Sequence, residues 1–135
     1  MKYALYNKAN VSTKAPCIEG TKAVPWEVAY RNMSKYEKVL SWFDDDFLEA
    51  FRFELPDFAF YHPTYQCFYF ITSEPANRKS SKYRYTIRSA SAKGVATVSR
   101  CSEYSTYSEA LNGLRIYLKK WKHLYRVSQW SRQRV

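Results

Sequence analysis

The sequence predicts a single α+β domain: an antiparallel sheet of about four strands, with N-terminal helices and a basic C-terminal helix packed on it. Three observations carry this. Apolar residues recur every three to four positions between about 25 and 55, and again after Thr106. Between Phe58 and Cys101 the period drops to that of a strand. The 135 residues, 46% hydrophobic and 25% charged, suit one core and are too apolar for a disordered chain.

Residues 1–24 hold no sustained period, so a short strand at Tyr3 to Tyr6 followed by loop is expected. Pro25 suits a first helical position, with Trp26, Tyr30 and Met33 following at helical spacing. Ser34 with Glu37, and Asp46 with Glu49, have capping spacing, so two or three short helices fill the stretch before Pro56 stops them. Phe58 to Ile71 reads as a hairpin bent at His62-Pro63-Thr64, its second arm apolar on both faces and therefore a central strand. Glu74 to Lys82 is a polar loop. Tyr83 to Arg88 alternates, with Arg84, Thr86 and Arg88 on what reads as an open basic side, and Lys93-Gly94 turns the chain into a partner at Val95 to Cys101. Thr106 and Glu109 open a helix carrying Tyr107, Ala110, Leu111, Leu114, Tyr117, Leu118, Trp121 and Leu124 on one stripe, and residues 127–135 read as a frayed basic tail.

Charge divides the chain. Residues 1–75 carry eight bases and ten acids, whereas residues 76–135 carry fourteen bases and only Glu103 and Glu109. The acidic helical part thus runs from about 25 to 55 and the basic hairpin-and-helix part from about 58 to 126. Thirteen Tyr, eight Phe and four Trp against three Gly imply an aromatic core with rings reaching the surface. Cys17, Cys67 and Cys101 are odd in number and far apart, so reduced, mostly buried thiols in a cytoplasmic protein are expected. The sequence offers no secretory or membrane-spanning run, no phosphate loop and no metal-ligand spacing at His62 or His123, and so implies no membrane, cofactor or metal.

Two basic surfaces are candidates. Arg78, Lys79, Lys82, Arg84, Arg88 and Lys93 interleave with Ser80, Ser81, Tyr83 and Tyr85, the side chains that neutralise and hydrogen-bond phosphate or stack on bases, although Tyr85 fits a core position better. Arg115, Lys119, Lys122 and Arg126 form a helical stripe of one sign, which an anionic partner would neutralise. Asp44, Asp45, Asp46 and Glu49 make an acidic face that could dock a partner protein. A metal-dependent nuclease built on Asp44, Asp46 and Glu49 is a weaker reading, since consecutive aspartates on a helix point apart.

The order of a helix, three or more strands and a basic last helix is similar to double-stranded-RNA-binding domains, although here that helix opens with Thr106-Tyr107-Ser108-Glu109 rather than a lysine-rich clamp. Tyr83 to Trp121, a hairpin and a helix, resembles the three-stranded DNA-binding modules of some phage integrases. Both resemblances imply nucleic-acid contact. The expectation is a non-enzymatic protein that binds DNA or RNA through phosphates with weak sequence specificity, with a homodimer left open as a further partner. The alternative is a phage or mobile-element inhibitor of host defence, which docks on a nucleic-acid-processing protein and blocks its channel.

Overall fold

The structure is a computed structural model that describes residues 15–44, 48–49, 52–77 and 82–133, with side chains as far as Trp121. The expected strand at Tyr3 to Tyr6 lies outside the described residues. In chain order the elements are β1 (Lys22–Pro25), α1 (Trp26–Met33), α2 (Glu37–Trp42), β2 (Phe58–His62), β3 (Cys67–Pro75), β4 (Tyr83–Ser91), β5 (Gly94–Thr97) and α3 (Tyr107–Gln133).

The five strands form one antiparallel meander in the order β1-β2-β3-β4-β5. Strand β3 is the middle one and is buried along almost its whole length, because it sends Phe68 and Phe70 to one face and Tyr69 and Ile71 to the other. The apolar-on-both-faces reading of this strand is therefore correct. The fifth strand is β1, within residues expected to be loop. Pro25 closes it and caps α1 from outside, at φ −54° and ψ 142°, rather than opening the helix. A proline is tolerated there because an edge strand can lack one donor.

Helices cover both faces. On one side α1 and α2 bury Trp26, Ala29, Tyr30, Met33 and Val39, with Phe43 just beyond, against Phe68, Phe70 and Ala90. The break between α1 and α2 falls at Ser34, whose amide is satisfied by the Tyr30 carbonyl at 2.9 Å. The Ser34–Glu37 capping box does not form, since Tyr36 occupies the cap position of α2 without a side-chain bond. On the other side α3 lays Ala110, Leu111, Leu114 and Leu118 on Phe60, Tyr69, Ile71 and Ile87. Thr106 does cap α3, its Oγ1 accepting the Glu109 amide at 3.1 Å. No glycine or proline follows Gly113, so nothing in the sequence stops α3, and the segment expected to fray is helical as far as Gln133. No helix among the described residues is long and apolar enough to cross a membrane.

Candidate nucleic-acid interface

The open basic side expected on β4 does not exist. The face carrying Arg84, Thr86 and Arg88 is the one that α2 and the Phe53 segment cover, and Arg88 is 6% exposed. Its guanidinium carbon lies 5.4 Å from the Trp42 ring centre and 5.1 Å from that of Phe53. Nε donates to Thr72 Oγ1 at 3.2 Å, Nη1 donates to Thr97 Oγ1 at 2.7 Å, and Nη2 faces Glu74 Oε1 at 3.7 Å. A buried guanidinium keeps its charge only with such partners, so Arg88 holds the sheet together and is withdrawn from the candidate surface.

Arg84 is committed as well. Its Nε donates to the Ser102 carbonyl at 2.6 Å and its Nη2 to that of Glu103 at 2.8 Å. These bonds tie down the chain leaving β5, and Tyr104 then rejoins the sheet opposite Tyr85. Tyr85 is half-buried against the Tyr107 ring, as a core position requires. Lys82 and Lys93 are exposed at opposite ends of β4. On α3, across the sheet from α1 and α2, Lys119 is exposed while Arg115 donates from Nε and Nη2 to the Cys17 carbonyl at 3.3 and 3.0 Å. Arg78 and Lys79 lie outside the described residues, as do the side chains of Lys122 and Arg126, whose backbone belongs to α3. Asp44 and Glu49 are exposed, and Asp45 and Asp46 lie outside the described residues. Among the described residues, Arg84 and Arg88 lie on the α1/α2 side of the sheet and Arg115 and Lys119 on α3 at the other, so these members of the two basic surfaces do not share a face.

A different set of bases is brought together, and it comes from the acidic half. Directly opposed residues of an antiparallel sheet share a face, and the register runs Lys22 to Tyr61, Tyr61 to Phe68, Phe68 to Ala90 and Ala90 to Val95. One row across the sheet therefore carries a lysine, two rings and two small apolar groups on the α1/α2 side. A groove of about 570 Å³ lies between the Lys22 end of this row and α1, with the buried Phe68 and Ala90 at its floor. Tyr61 and Phe68, ring centres 4.7 Å apart, belong to its lining with Val24, Val28 and Tyr36. Lys22, Lys35, Asn32 and Gln66 supply its polar groups, and no carboxylate lines it. At the far end of the same row, Lys93 sits on the β4–β5 turn, and the adjoining Gly94 packs against Lys38 of α2.

All four lysines are exposed and none makes an ion pair with a described residue. Lys22, Lys35 and Lys38 were outside the sequence candidates because they belong to residues 1–75, where acids outnumber bases. The signal that unites them is strand register and helix placement across some seventy residues, which no local pattern contains. His62 stacks on Tyr65 at 4.0 Å, accepts the Tyr65 amide at Nδ1, and is pushed below its ordinary pKa by burial. Only Cys67 of the three cysteines is buried, and burial raises its thiol pKa, whereas Cys17 and Cys101 are exposed, contrary to expectation.

A five-stranded meander with helices on both faces, carrying a lysine-rimmed aromatic groove, defines a basic α+β domain. Residues 30–115 match the model of a family of unknown function, DUF7447, and the chain belongs to that family. The match takes in Asn32, Lys35, Tyr36, Tyr61, Gln66 and Phe68 of the groove, while Lys22, Val24 and Val28 precede it. No curated protein and no solved structure matches the chain.

Proposed function

We propose that the protein binds nucleic acid without transforming it, and that the phosphates lie along the face bearing Lys22, Lys35, Lys38 and Lys93. The supporting observation is a groove lined by two exposed lysines, Lys22 and Lys35, and by no carboxylate, with the exposed Lys38 and Lys93 near the other end of the same sheet row and none of the four in an ion pair with a described residue. Like charges gathered without compensation attract a polyanion and release its counterions on binding. Lysine contacts to phosphate carry no sequence code, so discrimination between sequences is weak. The test is an anisotropy titration with labelled duplex DNA, single-stranded DNA and RNA at low salt. Binding to at least one, weakened by the double change Lys22→Glu/Lys35→Glu, supports the proposal. Absence of binding to all three overturns it.

A further inference from the structure

The nucleic-acid reading leaves the apolar part of the groove without a role, and that part is what a phosphate does not need. Val28 and Tyr36 are 41% and 43% exposed, and both line the groove opposite the Tyr61 and Phe68 rings. We propose that the groove takes one unpaired base of a single-stranded nucleic acid, with the flanking phosphates on Lys22 and Lys35. This rests on the nucleic-acid reading and narrows it to a substrate class.

Four features carry the inference. The volume, about 570 Å³, falls in the range of roughly 300–1,000 Å³ usual for small-ligand sites. The lining is aromatic and aliphatic, and a base offers a flat face of matching character that stacks on such surfaces whatever its identity. Two side-chain amides are placed for the base's polar edge. Asn32 spends Nδ2 on the Val28 carbonyl at 3.0 Å, which leaves its Oδ1 as an acceptor, and Gln66 projects from the β2–β3 turn with φ +51°. A base in a duplex keeps its face in the stack and its edge in a pair, so it reaches such a groove only after being extruded. The rim lysines and the absence of carboxylates make the charge complementary to a phosphodiester chain.

The experiment compares, on the intact protein, a labelled single-stranded oligonucleotide, the same strand with abasic sites, and the matching duplex. All carry the same backbone chemistry. The intact strand is expected to bind roughly tenfold more tightly than the abasic one, by the usual strength of base stacking. Tyr36→Ala should erase most of that difference while Tyr36→Phe keeps it, and Val28→Arg should weaken the intact strand despite its added positive charge. Tyr36 and Val28 are surface positions, and an unchanged circular dichroism spectrum verifies the fold. Equal affinity for intact strand, abasic strand and duplex overturns the base site while the phosphate-binding proposal stands. Failure of all three probes to bind in both DNA and RNA form removes both, and a Val28→Arg variant that binds the intact strand more tightly overturns the base site alone.

Discussion

Arg88 Nη2 and Glu74 Oε1 stand 3.7 Å apart on the α1/α2 side of the sheet, with both side chains less than a tenth exposed. Glu74 Oε1 also accepts the Thr86 hydroxyl and lies 3.7 Å from Cys101 Sγ, while its Oε2 has no hydrogen-bond partner. A buried charge left alone costs far more than the pair is worth. Arg88→Met should therefore lower unfolding free energy by about 3–5 kcal/mol. The double variant Glu74→Met/Arg88→Met should recover most of that loss in urea unfolding. Additive losses would show that the two charges do not compensate each other.

The same carboxylate predicts a pH dependence. Burial pushes Glu74 above the usual carboxylate range, against the smaller opposing effects of the Thr86 hydrogen bond and the Arg88 charge. The folded state then keeps a proton over a range in which the unfolded chain has released it. Stability from this group is full below the unfolded value, falls as pH rises towards the folded value, and is level above it. The stability difference between the native protein and Glu74→Gln should shrink across this mildly acidic window as pH rises, with a slope of at most about 1.4 kcal/mol per pH unit. A difference that grows with pH would mean that the pair holds the carboxylate down instead.

Salt dependence separates the two sets of bases. Four lysine–phosphate contacts on a single strand give a log–log slope of about −3, whereas six to eight contacts along the sequence-predicted surfaces would give about −5 to −7 on duplex DNA. Lys22→Glu and Lys35→Glu should each weaken binding and flatten the slope by about one. Lys119→Glu, on the opposite layer, should leave both nearly unchanged. The reverse ranking in an anisotropy series would return the interface to α3.

What the sequence made legible was local. The β4–β5 hairpin is announced by Lys93-Gly94 and the start of α3 by Thr106 and Glu109, signals that lie within a few residues of what they specify. Arg88 shows where this ends. Alternation along β4 says that Arg84, Thr86 and Arg88 share a face, and basic side chains on such a face look wet. Which layer covers it depends on Trp42 and Phe53, more than thirty residues away, whose rings make burial of a guanidinium tolerable. The groove was hidden for a related reason: Lys22, Tyr61, Phe68 and Ala90 become neighbours only through the register of four strands, and the first of these strands is too short to announce itself.

The cap on α3 gives a smaller, cleaner test. Thr106 Oγ1 accepts the Glu109 amide, and Ser105 Oγ donates to Glu109 Oε1 at 3.0 Å. Thr106→Ala should cost about 1 kcal/mol, and Thr106→Ser or Thr106→Asp should keep most of it, because each retains an acceptor oxygen. Thermal unfolding of the three variants checks this. Equal losses in all of them would mean that the threonine methyl, and not the cap, carries the effect.

Gly113 sits inside α3, where alanine would ordinarily stabilise the helix by about 1 kcal/mol. A Cβ at this position would overlap the phenol of Tyr104. Tyr104 is fixed by its backbone, which exchanges hydrogen bonds with Tyr85 at 2.8 and 3.1 Å, so the ring yields only by leaving its place against the helix. Overpacking of this kind costs about 1–3 kcal/mol, enough to cancel or reverse the helical gain. Gly113→Ala should therefore be neutral to destabilising in the native background and stabilising by about 1 kcal/mol once Tyr104→Ala has opened the space. The sign change in a double-mutant cycle is the decisive readout, since a helix-propensity effect alone would be the same in both backgrounds. A gain of equal size with and without the phenol would show that Tyr104 does not pack on Gly113.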